Sequence, residues 1–273
     1  MKNILIFILL IPVLTGCSSI QRKLYSSNQP NNPSLAKKND YSLSLTYGSP
    51  SGFDVNGGYA ISNRIAIIGG LYTHRNRDIE QSYSVFSQQR DSSQLSYRHK
   101  GFHAGAGIFM PLQKNNPEWF VSFFAGYTKG NFLMNENLQQ IAPAPSSQTN
   151  FYKSTIGRWF AQGSINFYDK ILHQSFIARF NYVGYDNVTT DYSDYEQYNY
   201  LLPPKGYSRW SQFLDLSFDT KIFFTKTHSL GLQFFGTVSS RLNRKDYNFA
   251  YYSSRLGIGL VLKPSFKIKE KKD

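Results

Sequence analysis

Apolar and polar residues alternate along much of the chain, and the clearest example surrounds residue 214. Leu214 and Phe218 fall at even positions, whereas Asp215 falls at an odd one, and two more stretches, 175–185 and 252–262, are sorted in the same way. A strand points successive side chains to opposite faces, so a period of two gives one apolar and one polar face, which a helix would mix. The alternation therefore predicts an all-β protein.

About ten segments follow this pattern, separated by stretches rich in Asn, Asp, Ser, Gly or Pro. They are 41–47, 53–61, 65–72, 97–110, 119–128, 154–167, 175–185, one around residue 214, 230–241 and 252–262. We expect an antiparallel up-and-down barrel of about ten strands, an even number as in bacterial single-chain barrels. The first two segments are short and residues 65–68 do not alternate, so eight strands remain an alternative.

The connections between these segments are alternately short and long. Short connections fall at 62–64, 112–117, 168–173 and 225–227, and long ones at 74–95, 130–153 and 186–207. Transmembrane barrels have short periplasmic turns and long outer loops. With ten strands, this phase predicts that both chain ends lie in the periplasm.

The alternation and the loop lengths resemble those of the Gram-negative outer membrane β-barrel class over residues 41–266. The resemblance implies apolar side chains facing lipid and polar ones facing the lumen. A soluble β-sandwich or lipocalin-like barrel also alternates, with the two faces exchanged. Small residues on the polar face, such as Gly101, Gly105 and Gly107, and aromatic residues near segment ends favour the membrane barrel.

The amino terminus has the features of an export signal. Lys2 precedes an apolar run, 4–14, which is too short to span a bilayer. Leu14-Thr15-Gly16-Cys17 resembles the lipobox of bacterial lipoproteins, which implies a signal peptide over 1–16 and a palmitate-type acyl anchor on Cys17. Residues 17–40 are expected to form a lipidated flexible tether and 267–273 a basic periplasmic tail. Cys17 is the only cysteine, so no thiol remains for a disulfide or a thiolate site.

Charged residues recur on the polar faces of the predicted strands. They are Asp54, Arg158, Arg179, Arg209, Asp215, Asp219, Lys221 and Arg255. Charges inside a narrow barrel must be paired and hydrogen-bonded. We therefore expect a luminal charge network rather than a wide pore, since a barrel of this size has little free bore.

His99 and His103 are the candidates for catalysis. An even separation places both side chains on one face of a strand. Two histidines without a third ligand at suitable spacing predict no metal site, and no cofactor motif is present. An outer membrane hydrolase of lipid or peptide and a polar filling role are both open for this pair.

A net charge of +13 favours anionic partners. For an exported chain these are outer membrane lipids and lipopolysaccharide rather than nucleic acid. The predicted loop 186–207, rich in Asp and Tyr, could contact envelope proteins or surface ligands. Three functions therefore remain: a lipid-anchored barrel with a structural, adhesion or envelope-assembly role, an outer membrane hydrolase, and a narrow channel or transport accessory.

Overall fold

The alternating segments form ten strands of one closed antiparallel barrel. The structure is a computed structural model that describes residues 22–84, 89–113, 116–142, 146–169, 171–199, 201–204, 206, 210–224, 229–243 and 250–263. Its elements in chain order are β1 (Lys23–Tyr25), β2 (Tyr41–Ser49), β3 (Gly52–Ala60), β4 (Ile65–Ser84), β5 (Gln89–Gln113), β6 (Asn116–Ala142), β7 (Ser146–Tyr168), β8 (Leu172–Thr190), α1 (Asp194–Asn199), β9 (Ser211–Phe223), β10 (Leu230–Arg241), β11 (Ala250–Tyr251) and β12 (Ser254–Leu262).

Each barrel strand pairs with its neighbours in sequence order, and β12 closes the barrel against β2. The pairing is antiparallel throughout, so the prediction of ten strands is confirmed and the alternative of eight is wrong. β1 and β11 lie outside this sheet and form a short parallel pair of their own. Among the described residues, no helix is long and apolar enough to cross a membrane.

The outer wall of the barrel is apolar and the inner wall is polar. Leu71 and Phe176 are about 60 % exposed, at 61 % and 60 %, whereas Asp215 is fully buried. A soluble barrel would have the opposite arrangement, because burial of apolar surface drives its folding. On β6 the outward positions from Trp119 to Tyr127 are mainly apolar. A tilted strand rises by roughly 20 Å between these two residues, comparable with the apolar band of about 25 Å in outer membrane barrels.

The predicted long loops are largely strand. β4 and β5 continue through most of 74–95, and β6 and β7 through most of 130–153. We name this end of the barrel the long-hairpin end and the opposite one, with the turn at 61–64, the short-turn end. No apolar period marks these extensions, because their outer faces are largely polar and their inner faces mix polar residues with apolar ones such as Phe132 and Met134. The hydrogen-bonded register is what shows them to be strands.

Residues 22–35, which we name the luminal segment, lie inside the barrel and are almost entirely buried. This differs from the flexible tether expected over 17–40: among its described residues, 22–40, only 36–39 form an exposed connection. The segment is polar, like a linker, but the surrounding wall is polar too and supplies hydrogen-bond partners. Burial is therefore possible without an apolar pattern.

The luminal segment runs the length of the barrel. Lys23 contacts Asp78 on the long-hairpin side of β4, whereas Leu35 packs in a cluster with Ala60 and Ala66 beside the short turn. At the other end of the chain, Lys263 bonds to Ser229 at the short-turn end. The described ends of the chain, residues 22 and 263, thus lie at opposite ends of the barrel, whereas the termini that the sequence places in the periplasm lie outside the described residues.

Candidate functional site: the occupied lumen

The predicted luminal charges surround the luminal segment. Arg179 donates to the Asp215 carboxylate from Nη2 at 2.8 Å and also to the backbone carbonyl of Asn28 at 2.7 Å. Asp215 additionally accepts hydrogen bonds from Asn181 at 2.8 Å and from the Tyr25 hydroxyl at 3.3 Å. One buried ion pair therefore fixes both the barrel wall and the segment.

Two further cations hold the segment in the same way. Lys221 lies 3.2 Å from the Asp219 carboxylate and donates to the carbonyl of Asn32 at 2.6 Å. Arg255 pairs with Asp54 and donates to the carbonyl of Ser27 at 3.3 Å. Each cation thus satisfies one carboxylate of the wall and one backbone oxygen of the segment, which is how charges can be buried at tolerable cost.

Arg158 completes this set, because its guanidinium donates to the side-chain oxygen of Asn28 and to the Thr128 hydroxyl. The structure thus places Asp54, Arg158, Arg179, Asp215, Asp219, Lys221 and Arg255 inside the barrel, each at most 4 % exposed. Arg209 lies outside the described residues. Four cations face three carboxylates here, and the oxygens of the segment provide the remaining acceptors.

Amide side chains of the segment match the wall between these charges. Asn31 donates to the carbonyls of Gly57 and Gly69, both at 2.8 Å, and its own carbonyl accepts from Gln162 at 2.8 Å. Asn32 donates to Asn166 at 2.7 Å, and Gln29 accepts from Thr46 at 2.6 Å. The contacts involve strands all round the barrel, so the segment is a specific part of the fold.

Both ends of the lumen are closed by apolar clusters. At the long-hairpin end, Leu24 and Tyr25 pack among aromatic side chains, and the Tyr25 ring stacks on Phe213 with centroids 4.0 Å apart. At the short-turn end, Leu35 packs with residues that include Phe124 and Phe160. The lumen is thus polar in its middle and filled by packed apolar side chains at both ends, which leaves little space for ions to pass.

Ionic contacts hold the segment where it reaches the long-hairpin end. Arg22 pairs with Glu136 of β6, and Lys23 lies 3.0 Å from Asp78. Glu136 also accepts hydrogen bonds from Ser93 at 2.6 Å and from the hydroxyl of Tyr192. Burial and the adjacent Glu136 carboxylate raise the pKa of Tyr192, so its hydroxyl keeps the proton that it donates.

His99 and His103 lie deep in the barrel and not at its rim, each 5 % exposed. His103 is 3.4 Å from Asn28 and 3.3 Å from Asn31, whereas His99 packs on the Phe132 ring. The luminal segment therefore covers His103, and neither histidine is exposed to a large substrate. Within the described residues, no group of three His, Cys, Asp or Glu side chains could hold a metal ion.

The sequence did not single out His74, although it lies 3.3 Å from Asp54 and is 2 % exposed. It also missed every contact of the luminal segment. A polar run without an apolar period has the same composition in an exposed linker as in an extended segment buried in a polar lumen. The sequence therefore gives no signal that distinguishes the two.

In the predicted outer loop 186–207, β8 continues to Thr190 and α1 follows. Tyr192 is buried against Glu136, whereas Tyr195 and Tyr198 are largely exposed. The exposed tyrosines provide contact surface at the long-hairpin end, and the buried one fixes the loop to the barrel.

No protein-family model matches this chain, and no curated protein matches it. Among solved structures, the outer membrane protease OmpT from Escherichia coli aligns with a TM-score of 0.49 at 11 % identity, over 82 % of this chain and 95 % of that chain. OmpT (in-vitro folded), an outer membrane protein of Vibrio cholerae, aligns with a TM-score of 0.21 at 9 % identity, with the same coverage. Likenesses this distant carry no argument about activity, so function must be inferred from the geometry of the chain.

Proposed function

We propose that the protein is an outer membrane barrel with a structural role in the cell envelope, closed by its own amino-terminal segment. In this proposal the lumen holds the segment in a transmembrane path, and the lipidated amino terminus is retained on the outer side. The observation that carries the proposal is the burial of residues 22–35 along the barrel, from Arg22 at the long-hairpin end to Leu35 at the short-turn end.

The apolar outer wall supports a membrane location, because a band of exposed Leu, Ile, Phe and Trp side chains would be unfavourable in water. In a closed barrel every strand is hydrogen-bonded to a neighbour on each side, so no edge leaves backbone groups unpaired, as a bilayer requires. Outer membrane barrels direct their long connections outward. By that rule, the long-hairpin end faces the cell exterior and the short-turn end faces the periplasm.

The position of the anchor follows from this orientation. Cys17 lies outside the described residues and five positions before Arg22. Since Arg22 is at the long-hairpin end, the acyl chains proposed for Cys17 belong on the outer side of the membrane. This replaces the periplasmic position that the sequence predicts for the amino terminus, and it fits a barrel whose interior holds an extended segment of the chain rather than a pore.

Thiol labelling of intact cells tests the proposal, because a lipidated Cys17 leaves the chain with no free thiol. We would label Ser18→Cys with a membrane-impermeant maleimide, with the unaltered protein as the blank. Tyr198→Cys, exposed in α1, reports the long-hairpin side, and Arg64→Cys in the exposed turn 61–64 reports the short-turn side.

Ser18→Cys and Tyr198→Cys should react on intact cells, whereas Arg64→Cys should react only after the outer membrane is permeabilised. If Ser18→Cys behaves like Arg64→Cys, the amino terminus is periplasmic and the threaded path is wrong. Strong labelling of the unaltered protein would show that Cys17 is free and would contradict its acylation.

A further inference from the structure

A one-sided group of cations lies on the outer wall of the barrel. We name it the basic belt, and all of its side chains are exposed and point away from the lumen. Its members are Arg75 and Arg77 on β4, Arg98 and Lys100 on β5, Lys129 on β6 and Lys153 on β7.

The register of the strands brings these cations together. Arg75 lies directly opposite Arg98, and Lys100 follows two residues later on the same face. Like charges directly opposite each other are unfavourable in a sheet. Among the described residues, no carboxylate forms an ion pair with a member of the belt. Asp78 and Glu136, on the same strands, are instead engaged by Lys23 and Arg22 of the luminal segment.

The belt lies at the edge of the apolar band. On β6, Lys129 is the next outward position after Tyr127, and on β5, Lys100 is the next after Phe102. In the proposed orientation this is the headgroup level of the outer leaflet. Across the barrel, outward positions of the wall such as Ser240 on β10 and Ser254 on β12 are neutral, so among the described residues of the wall the outward positive charge is confined to β4–β7.

Two grooves cross this part of the wall. The lower groove, about 540 Å³, has Phe53, Leu71 and Phe102 on its apolar side and Lys100 and Lys129 at its polar rim. The upper groove, about 560 Å³, is lined by residues that include Arg75, Arg77 and Arg98. Apolar surface below and clustered cations above are the two requirements for binding an anionic amphiphile.

We propose that the basic belt and the two grooves bind lipid A, the phosphorylated glycolipid of the outer leaflet. Acyl chains lie along the lower groove, and the phosphates contact Arg98, Lys100 and Lys129. The cations are spread over four adjacent strands, about 14 Å. That spread suits a disaccharide with a phosphate at each end better than the single phosphate of a glycerophospholipid, and guanidinium groups bind phosphate in a bidentate way. The assignment of the leaflet rests on the proposed orientation.

Binding in detergent micelles tests this site without reference to orientation. The full-length protein is titrated with Kdo2-lipid A and observed by native mass spectrometry. We compare it with Arg98→Gln/Lys100→Gln/Lys129→Gln and with the control Lys37→Gln/Lys38→Gln, which removes exposed cations at the short-turn end. Heat-modifiable migration on gels confirms that each variant is folded.

The triple variant should bind Kdo2-lipid A about tenfold more weakly or worse, since each lost phosphate contact is a charge-assisted one. The control should bind unchanged, and monophosphoryl lipid A should bind more weakly than the bisphosphorylated form. Equal affinity of the triple variant and the unaltered protein overturns the site. Equal affinity for phosphatidylglycerol and lipid A overturns the ligand assigned here in favour of any anionic lipid.

The two proposals fail separately. If the triple variant binds lipid A as tightly as the unaltered protein while the thiol labelling is as expected, only the belt site is refuted. Specific lipid A binding by a protein whose Ser18→Cys thiol is periplasmic would refute the threaded path and leave the belt intact.

Discussion

Asp215 is a carboxylate that the fold buries completely, at 0 % exposure. Its Oδ2 accepts from Arg179 and Asn181, and its Oδ1 accepts from Ser239 at 2.7 Å. A buried charge is tolerated only when its desolvation is offset by such contacts. Burial of the Asp215 carboxylate therefore depends on these donors, and burial of the Arg179 guanidinium depends on the carboxylate.

Asp215→Ala should destabilise the folded barrel by about 3–5 kcal/mol, because it leaves the Arg179 guanidinium buried without its carboxylate. The measurement is urea unfolding of the protein refolded in micelles. Ser240→Ala, on the outer wall of the neighbouring strand, is the control and should unfold as the unaltered protein does. Equal unfolding of both variants would mean that Asp215 does not carry the network.

Two adjacent glycines of β3 provide a matched test of the packing of the luminal segment. A Cβ at Gly58 would lie 2.7 Å from the Cβ of Pro33, whereas a Cβ at Gly57 would lie 3.6 Å from the nearest Leu43 atom. Gly58→Val should therefore cost about 1–3 kcal/mol through overpacking. Gly57→Val should be close to neutral, since valine suits an outward strand position.

The temperature at which the unboiled compact gel band disappears compares these two variants. A lower temperature for Gly58→Val alone would support close contact between the segment and β3. Equal temperatures for the two would indicate that Pro33 is not held there.

Among the elements, the luminal segment is the one that the sequence could not predict. The barrel strands show an apolar period because their outer face is apolar and their luminal face is polar, and ten of them could be counted. Parity also indicated which side of a strand Asp54 and Arg255 occupy. Neither feature indicates that Ser27 accepts a hydrogen bond from Arg255, since that contact joins residues 228 positions apart.

The strand extensions at the long-hairpin end show the same limit. β6 continues past Lys129 to Ala142 through outward residues that are mostly polar and inward residues that mix apolar Phe132 and Met134 with polar Glu136. Such a stretch has the composition of a loop, and its strand structure follows from cross-strand hydrogen bonds with β5 and β7. Sequence patterns locate strands well only where the two faces meet different environments.

Hydrogen exchange distinguishes the luminal segment from a tether. Backbone amides of 26–34, apart from the prolines, should exchange as slowly as those of the barrel strands, because the buried segment is shielded from water. Residues 36–39 are exposed and provide an internal reference that exchanges quickly. Mass spectrometry of peptic fragments separates the two stretches, and rapid exchange of 26–34 would restore the tether interpretation.

At the scale of the whole molecule, the lumen is filled by the chain itself. Cations of the wall meet oxygens of the segment in the middle, and the apolar clusters around Leu24 and Leu35 close the two ends. A ten-stranded barrel without the segment would have a polar interior wide enough for side chains and water. The segment therefore decides whether this barrel is a closed structural unit or a narrow channel.

Planar bilayer recordings should thus show no channel steps for the full-length protein and small, frequent steps for a variant without residues 22–35. A synthetic peptide of that sequence should suppress the steps of the deletion variant, and a peptide in which Asn28 and Asn31 are replaced by leucine should not, since the wall then loses its hydrogen-bond partners. Suppression of the steps by the native peptide would also show that the deletion variant is folded as a barrel. Steady conductance by the full-length protein would instead favour a channel. Ions would then pass through the lumen while the segment is still in place and Arg179 still binds the carbonyl of Asn28.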